Sequence, residues 1–343
     1  MRHKLWLRAL LALLIVGLLA LTILWLVVRD EFRTILANWR SEMEAMGFVV
    51  AAGPPEFGGW PLQLEARFAA PVITLPSGER WEGPATVAGH AWLWDLETIV
   101  IEGPGRHRLE VEGGPLAIEL PEGALTLGFA NGRLDRVALE LAKAVVRNET
   151  SGRSLGLDRL ALETAPLTPK PDGSAEIGFA FELAGFALPT EMAGATALVG
   201  PEIALLHLQG RLSGQLALER SWEAFLAAWR DSGGILDFAV IELDWGELWA
   251  KGAGTLAADQ AFRPLGAFSF ETLGLPALIA RATEAGLLEQ SAGQTLERAL
   301  SALATGTDDR GRQRVQLPVT LQDGRLYVGQ IELGRLRPLV FDD

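Results

Sequence analysis

The chain has 343 residues, 49% of them apolar and 21% charged, with a formal net charge of −13 and no cysteine. Such a chain folds, and it can bury a substantial core without cross-links. It can hold no disulfide, thiolate metal site or cysteine nucleophile, and its acidity excludes a nucleic-acid partner, because phosphates would be repelled.

Residues 1–8 form a short basic tail carrying Arg2, Lys4 and Arg8. Ala9 to Val28 is then a run of twenty residues without a charge, with Thr22 as its one polar member. As a helix this run is about 30 Å long, which matches a hydrocarbon core. Trp6 and Trp25 lie near its two ends, where indoles favour the interface, and Arg29 closes it. Arg2, Lys4, Trp6, Arg8, Trp25 and Arg29 are therefore the expected membrane-interface residues. A cleaved signal peptide would have a shorter apolar stretch and a small-residue cleavage pattern. Neither is present, so an uncleaved anchor is expected. Basic residues nearly balance across the span, but a very short basic tail stays inside. The expected place is a bacterial inner membrane, single-pass, with the C-terminal part in the periplasm.

Residues 29–47 continue as an amphipathic juxtamembrane helix. Phe32, Ile35, Leu36, Trp39, Met43 and Met46 recur at helical spacing before Gly47. The spacing suits packing on the chain's own sheet, lying on the membrane surface, or docking of an envelope protein.

From residue 48 the period changes to two. Alternating runs such as Leu62–Phe68, Ala85–Trp94, Arg108–Glu112 and Leu134–Val146 are separated by Gly53-Pro54-Pro55, Pro76-Ser77-Gly78, Gly103-Pro104-Gly105, Gly113-Gly114-Pro115, Pro121-Glu122-Gly123 and Asn131-Gly132. These read as turns, and the runs as antiparallel strands with one apolar and one polar face. The same pattern resumes after the proline-rich stretch 166–173, the expected linker. The fold class is thus α+β and mainly β: a transmembrane helix, then a large twisted antiparallel β-meander with covering helices. The halves are expected at 48–165 and 174–343, the second with helices at 222–231, 276–285 and 287–304.

Catalytic signals are thin. Gly152-Arg153-Ser154-Leu155-Gly156 matches the G-x-S-x-G string, but the residues after Ser154 alternate like a strand, whereas a nucleophile elbow opens a helix. A hydrolase is only a remote alternative. His3, His90, His107 and His207 do not pair with other ligands at metal spacing, and Asp308-Asp309 reads as a solvated loop. Catalytic residues, cofactor and metal are each expected to be none. Eleven tryptophans are many. Beyond core packing they suggest an apolar groove, with Trp60, Trp81, Trp92, Trp94, Trp245 and Trp249 as its lining. An anchored protein with one-sided strands and aromatic excess is expected to bind or guide a lipid or other apolar ligand.

Four stretches carry a resemblance: Gly58-Gly59-Trp60-Pro61 leading into Leu62–Phe68 and Trp92-Leu93-Trp94; Asp244-Trp245-Gly246; Gly252-Ala253-Gly254; and the ending Leu317–Pro338. Together they resemble the DUF2125 family, uncharacterised bacterial proteins common in alphaproteobacteria with an N-terminal membrane segment. The family's pattern would place Phe before Pro61 and proline at Gln330. It has no established active site, so the resemblance implies no catalytic residue.

Overall fold

The computed structural model describes residues 2–111, 113–166, 168–171, 173–188, 196, 198–216 and 221–340, with side chains from residue 10 onward. It divides into two compact units, Met1–Ser154 and Leu155–Asp343.

The first unit opens with α1 (Arg2–Ala45), one unbroken helix that joins the apolar run to the amphipathic segment and ends at Gly47 with φ of 91°. A glycine is needed there because side chains avoid that left-handed backbone. Eleven short strands follow: β1 (Val49–Ala51), β2 (Glu56–Gly58), β3 (Gln63–Ala69), β4 (Val72–Thr74), β5 (Arg80–Glu82), β6 (Thr86–Trp92), β7 (Asp95–Glu102), β8 (Gly105–Glu110), β9 (Leu116–Leu120), β10 (Glu122–Ala130) and β11 (Arg133–Asn148).

Their registers show that these are fewer, longer strands, each bent once. β3 pairs with β2 and β6 while β4, its continuation, pairs with β1 and β5. β5 and β6 likewise pair with β8 and β7, and β8 and β7 with β9 and β10. β9 and β10 both pair with β11, so residues 116–148 are one long hairpin. The unit is therefore a simple up-and-down meander of six bent strands. Gly53-Pro54-Pro55, Gly103-Pro104-Gly105 and Pro121-Glu122-Gly123, expected as turns, are the bends, and the chain runs straight on through them. Ala70-Pro71 and Gly83-Pro84 complete the line. Proline interrupts a ladder without reversing the chain, since it lacks the N–H that would continue it. The bends touch: Gly83 N–H donates to Pro71 O at 2.7 Å, and a Cβ on Gly83 or Gly105 would press on the rings of Pro71 or Pro84. The true turns are the remaining signals. Asn131 (φ 52°) and Gly132 (φ 72°) both take the left-handed conformation of a two-residue hairpin.

The second unit is another antiparallel meander. Its strands are β12 (Ser154–Thr164), β13 (Thr168–Pro169), β14 (Ala175–Ala187), β15 (Glu202–Gly214), β16 (Ile235–Trp245), β17 (Leu248–Ala258), β18 (Pro264–Leu273), β19 (Ala304–Thr307), β20 (Gln313–Gln322), β21 (Arg325–Val328) and β22 (Ile331–Arg335). The order is β12/β13–β14–β15–β16–β17–β18–β20, with β19 and β21 side by side on the far edge of β20 and β22 beyond β21. The stretch 166–173 lies inside this unit. Thr168 and Pro169 continue β12 past a bend, and Lys170 and Ser174 close the turn to β14.

The strands are interrupted by helices α2 (Trp222–Asp231), α3 (Leu275–Glu284) and α4 (Gln290–Ala302). The Ser221 hydroxyl caps α2 by accepting from the Ala224 N–H, as its sequence implies. α2 contributes to a buried cluster of Leu226, Trp229 and Ala258, packed with Leu212, Leu236 and Phe262.

Candidate functional site: the apolar sheet face

Antiparallel registers fix which side chains share a face. In the second unit the chain Phe179–Gly210–Phe238–Gly254–Phe268–Val319 runs directly across six neighbouring strands. Beside it runs Leu162–Phe181–Leu208–Ile241–Gly252–Phe270–Leu317. The bulge between Gln209 and Gly210 keeps both rows on one face, because an extra residue on β16 restores the alternation. Phenylalanine alternates with glycine in the first row, and the Phe268 ring lies over Gly254, where the neighbouring strand has no side chain. Ring centroids lie 6.0 Å apart for Phe179–Phe238, 6.2 Å for Phe238–Phe268 and 6.1 Å for Phe268–Phe270. A Cβ on Gly254 would come within 2.4 Å of the Phe268 ring.

The opposite face is charged and paired. Arg159 meets Glu182 at 3.1 Å, Arg211 meets Asp237 at 3.3 Å and Glu176 at 3.6 Å, Lys251 meets Glu242 at 2.9 Å, and Arg314 binds Glu271. Hydrogen bonding from Lys251 holds the Glu242 carboxyl below its ordinary value, with Trp249 Nε1 adding to it. A carboxyl depressed by folding adds stability above its unfolded pKa, and that stability is lost as pH falls through the folded value. Glu242→Gln is therefore expected to weaken the fold at neutral pH and to flatten the acid limb of its stability curve. Thermal unfolding from neutral to acid pH checks this, and an unchanged acid limb would show that the pair contributes nothing.

The apolar face is partly covered, while Gln209, Arg211, Lys251, Ala253 and Ser269 on the reverse face are exposed. Phe179, Phe181, Leu208, Phe238, Ile241, Phe268 and Phe270 are all only half-buried. α2 covers one end of the face, and at the other Thr272 and Val315, opposite each other on β18 and β20, are buried. In the first unit Trp81, Val87, Gly89 and Ala91 alternate onto the face that also takes Ile99, Ile101 and Leu109.

The expected groove tryptophans are divided between the two units, Trp60, Trp81, Trp92 and Trp94 in the first and Trp245 and Trp249 in the second. Trp81 lies on the apolar face of the first unit, 5.9 Å from the His107 ring. Trp245 ends β16 and donates to Gly200 O at 3.0 Å, while Trp249 sits on the charged face of the second unit. Trp60 lies in a turn beside α1, and in the neighbouring turn Trp94 stacks at 4.6 Å on Trp92, the last residue of β6. Of the expected interface residues, Arg2, Lys4, Trp6 and Arg8 have helical backbone, but their side chains lie outside the described residues. Trp25 is buried, donating from Nε1 to Gln63 O at 2.9 Å, and Arg29 pairs with Asp30 at 2.8 Å.

Ser154 is an exposed residue that begins β12, and no helix follows it. His90 sits opposite Glu65, and His207 opposite Glu182 and Glu242. Among the described residues no three His, Asp or Glu side chains form a metal-binding group. Asp308 is used locally, accepting from the Arg310 and Arg312 backbone and pairing with Arg312 at 2.8 Å.

The family model described as "Uncharacterized protein conserved in bacteria (DUF2125)" matches residues 25–337. The chain belongs to the DUF2125 family. The matched span takes in the second half of α1 and nearly all of both units of this DUF2125 protein. No curated protein and no solved structure matches it.

The Phe–Gly row was missed in the sequence. Its signals are there, as Phe179-Ala180-Phe181, Gly252-Ala253-Gly254 and Phe268-Ser269-Phe270, but only lateral register turns three separate motifs into one surface.

Proposed function

We propose that this DUF2125 protein is an envelope protein, fixed in the bacterial inner membrane by α1, which binds or conveys a lipid or similar apolar ligand along its sheets in the periplasm. One observation carries the reading: the Phe179–Phe238–Phe268 row forms a continuous apolar face that its own chain leaves half-exposed, while the reverse face of the same strands carries solvated ion pairs. A face of this kind must be covered by something apolar, because exposed aromatic surface costs about 25 cal/mol for every Å² left in water. Acyl chains fit an apolar face whose rows are built from phenylalanine, leucine, isoleucine, valine and glycine.

An uncleaved anchor is supported by how the first unit holds α1. The indole of Trp25 is buried against β3, Arg33 lies 5.4 Å over Phe57, and Arg40 donates to Ala52 O at 2.7 Å. Cleavage within the apolar run would remove part of a folded unit.

Native mass spectrometry of the full chain released from lipid nanodiscs tests the proposal. Retained phospholipid or fatty acid is expected, in amounts that fall when the Phe row is altered. Retention that does not respond to the row would attribute the lipid to the anchor alone and remove the proposal.

The second reading, docking of an envelope protein, has its own observation. α1 turns Phe32, Leu36 and Met43 inward and leaves Ile35 and Trp39 exposed one turn apart. On that reading Trp39→Ala abolishes recovery of cross-linked partners; unchanged recovery would dismiss it.

A further inference from the structure

We infer that the first unit makes a second contact with the bilayer, by seating the turns 59–62 and 93–94 in the outer part of the membrane beside the anchor. This rests on α1 being an uncleaved anchor and not on lipid carriage.

The two turns are neighbours. Gln63 pairs with Trp92, and Leu93 N–H donates to Leu62 O at 3.0 Å. They present Trp60, Leu62, Trp92, Trp94 and Leu96, which are 50%, 44%, 44%, 66% and 44% exposed. Aromatic and aliphatic surface of this extent on adjacent tips is unusual for a domain standing in water.

The anchor sets their depth. Trp60 Nε1 donates to Thr22 Oγ1 at 3.2 Å, and Trp25 Nε1 donates to Gln63 O at 2.9 Å. Thr22 is seven residues before Arg29, so Trp60 sits about 10 Å further along the helix toward the membrane centre than the first charge after the span. Suppose instead that the whole sheet stood clear of the membrane. The span would then have to end before Thr22, and the uncharged run Ala9–Leu21 is only about 20 Å long, against a hydrocarbon core of about 30 Å. The anchor reaches across only if Thr22 to Val28 is inside, and the tips go with it. Trp60, Trp92 and Trp94 then lie where indoles are most stable, with ring bodies in apolar surroundings and N–H groups near polar ones.

Asp95 and Glu97 flank the same tips. The contact is therefore apolar insertion without charge attraction, and it suits zwitterionic head groups better than anionic ones.

The absence of cysteine in the chain makes the test direct. Full-length single-cysteine variants are spin-labelled, reconstituted in phosphatidylcholine vesicles and probed with oxygen, which partitions into lipid, and with a water-soluble nickel chelate. Leu96→Cys keeps all the tip tryptophans, and Trp94→Cys reports from the tip itself. Gly113→Cys, in a turn at the opposite end of the strands, is the aqueous reference, and Ile15→Cys is the anchor reference. The inference expects labels at 94 and 96 to lose access to the chelate relative to 113 and to gain access to oxygen. Labels at 94 and 96 as open to the chelate as that at 113 would overturn it. So would labels shielded from both agents or broadened by a second label, which would mean a protein or a second copy covers the tips. If the label at 15 is itself aqueous, the anchor reading fails. If that label is in lipid while 94 and 96 are aqueous, the second contact alone fails.

Discussion

Phe238→Asp is expected to remove most of the lipid retained by the protein while leaving its strand content intact. Phe238 sits at the centre of the cross-strand row, touching Phe179 at 6.0 Å and Phe268 at 6.2 Å, and it is only half-buried. Fully burying a phenylalanine is worth about 1.5–3 kcal/mol, so covering the exposed half of Phe238 with an apolar ligand contributes roughly half of that. A carboxylate in its place would also have to be desolvated beneath an acyl chain. At about 1.4 kcal/mol for each factor of ten, the loss of affinity is at least roughly tenfold. The fold is less affected, since an aspartate there stays hydrated when no ligand is bound. Gln209→Asp, on the charged face of the neighbouring strand, is the matched control and is expected to retain lipid as the unaltered protein does. Native mass spectrometry of the three proteins, with circular dichroism to verify folding, reads the result. Equal retention in all three would show that the Phe row does not hold lipid.

Trp229→Ala is expected to be the more damaging change to the fold. The indole is 5% exposed, donates from Nε1 to Ser213 O at 2.9 Å, and lies in a slot between Gly214 and Gly234. A Cβ on Gly234 would approach the ring to 2.3 Å, so those glycines leave room for nothing larger than they are. Truncation empties the slot beneath α2 and costs about 3–5 kcal/mol, the range for large aromatics removed from a core. It also frees α2 from the end of the apolar face that it covers. Urea unfolding of the full chain in micelles, followed by circular dichroism, measures the loss. A change under about 1 kcal/mol would mean that the slot collapses around the missing ring or that α2 is held by other residues.

Much of the architecture was legible in the sequence because it depends on short-range patterns. The apolar run before Arg29, the α2 span with its Ser221 cap, and the alternating strands are all local signals. The bends at Pro54, Pro71, Pro84, Pro104 and Pro121 were less legible, since Gly-Pro reads the same whether the chain turns back or continues. Only the pairing of each arm with the same neighbour separates the two. The candidate site was legible in kind but not in residues. Alternation announces an apolar face, yet the Phe–Gly row depends on the registers of five strand pairs and on one bulge in β16. Tryptophan count pointed to a groove, while the fold uses Trp60 beside the anchor, Trp92 and Trp94 at the neighbouring turn and Trp229 in a core. Thr22 and Trp60 are 38 residues apart, and nothing in either segment alone pairs them.

The most direct test of a lipid-bearing sheet is photo-crosslinking in living cells, with a benzophenone side chain at Phe268 in one strain and at Ser269 in another. The two positions are adjacent on β18 but point to opposite faces. Mass spectrometry of the purified full chain should find phospholipid or fatty-acid adducts from position 268 and none from 269. Adducts from neither position, or equally from both, would contradict the account.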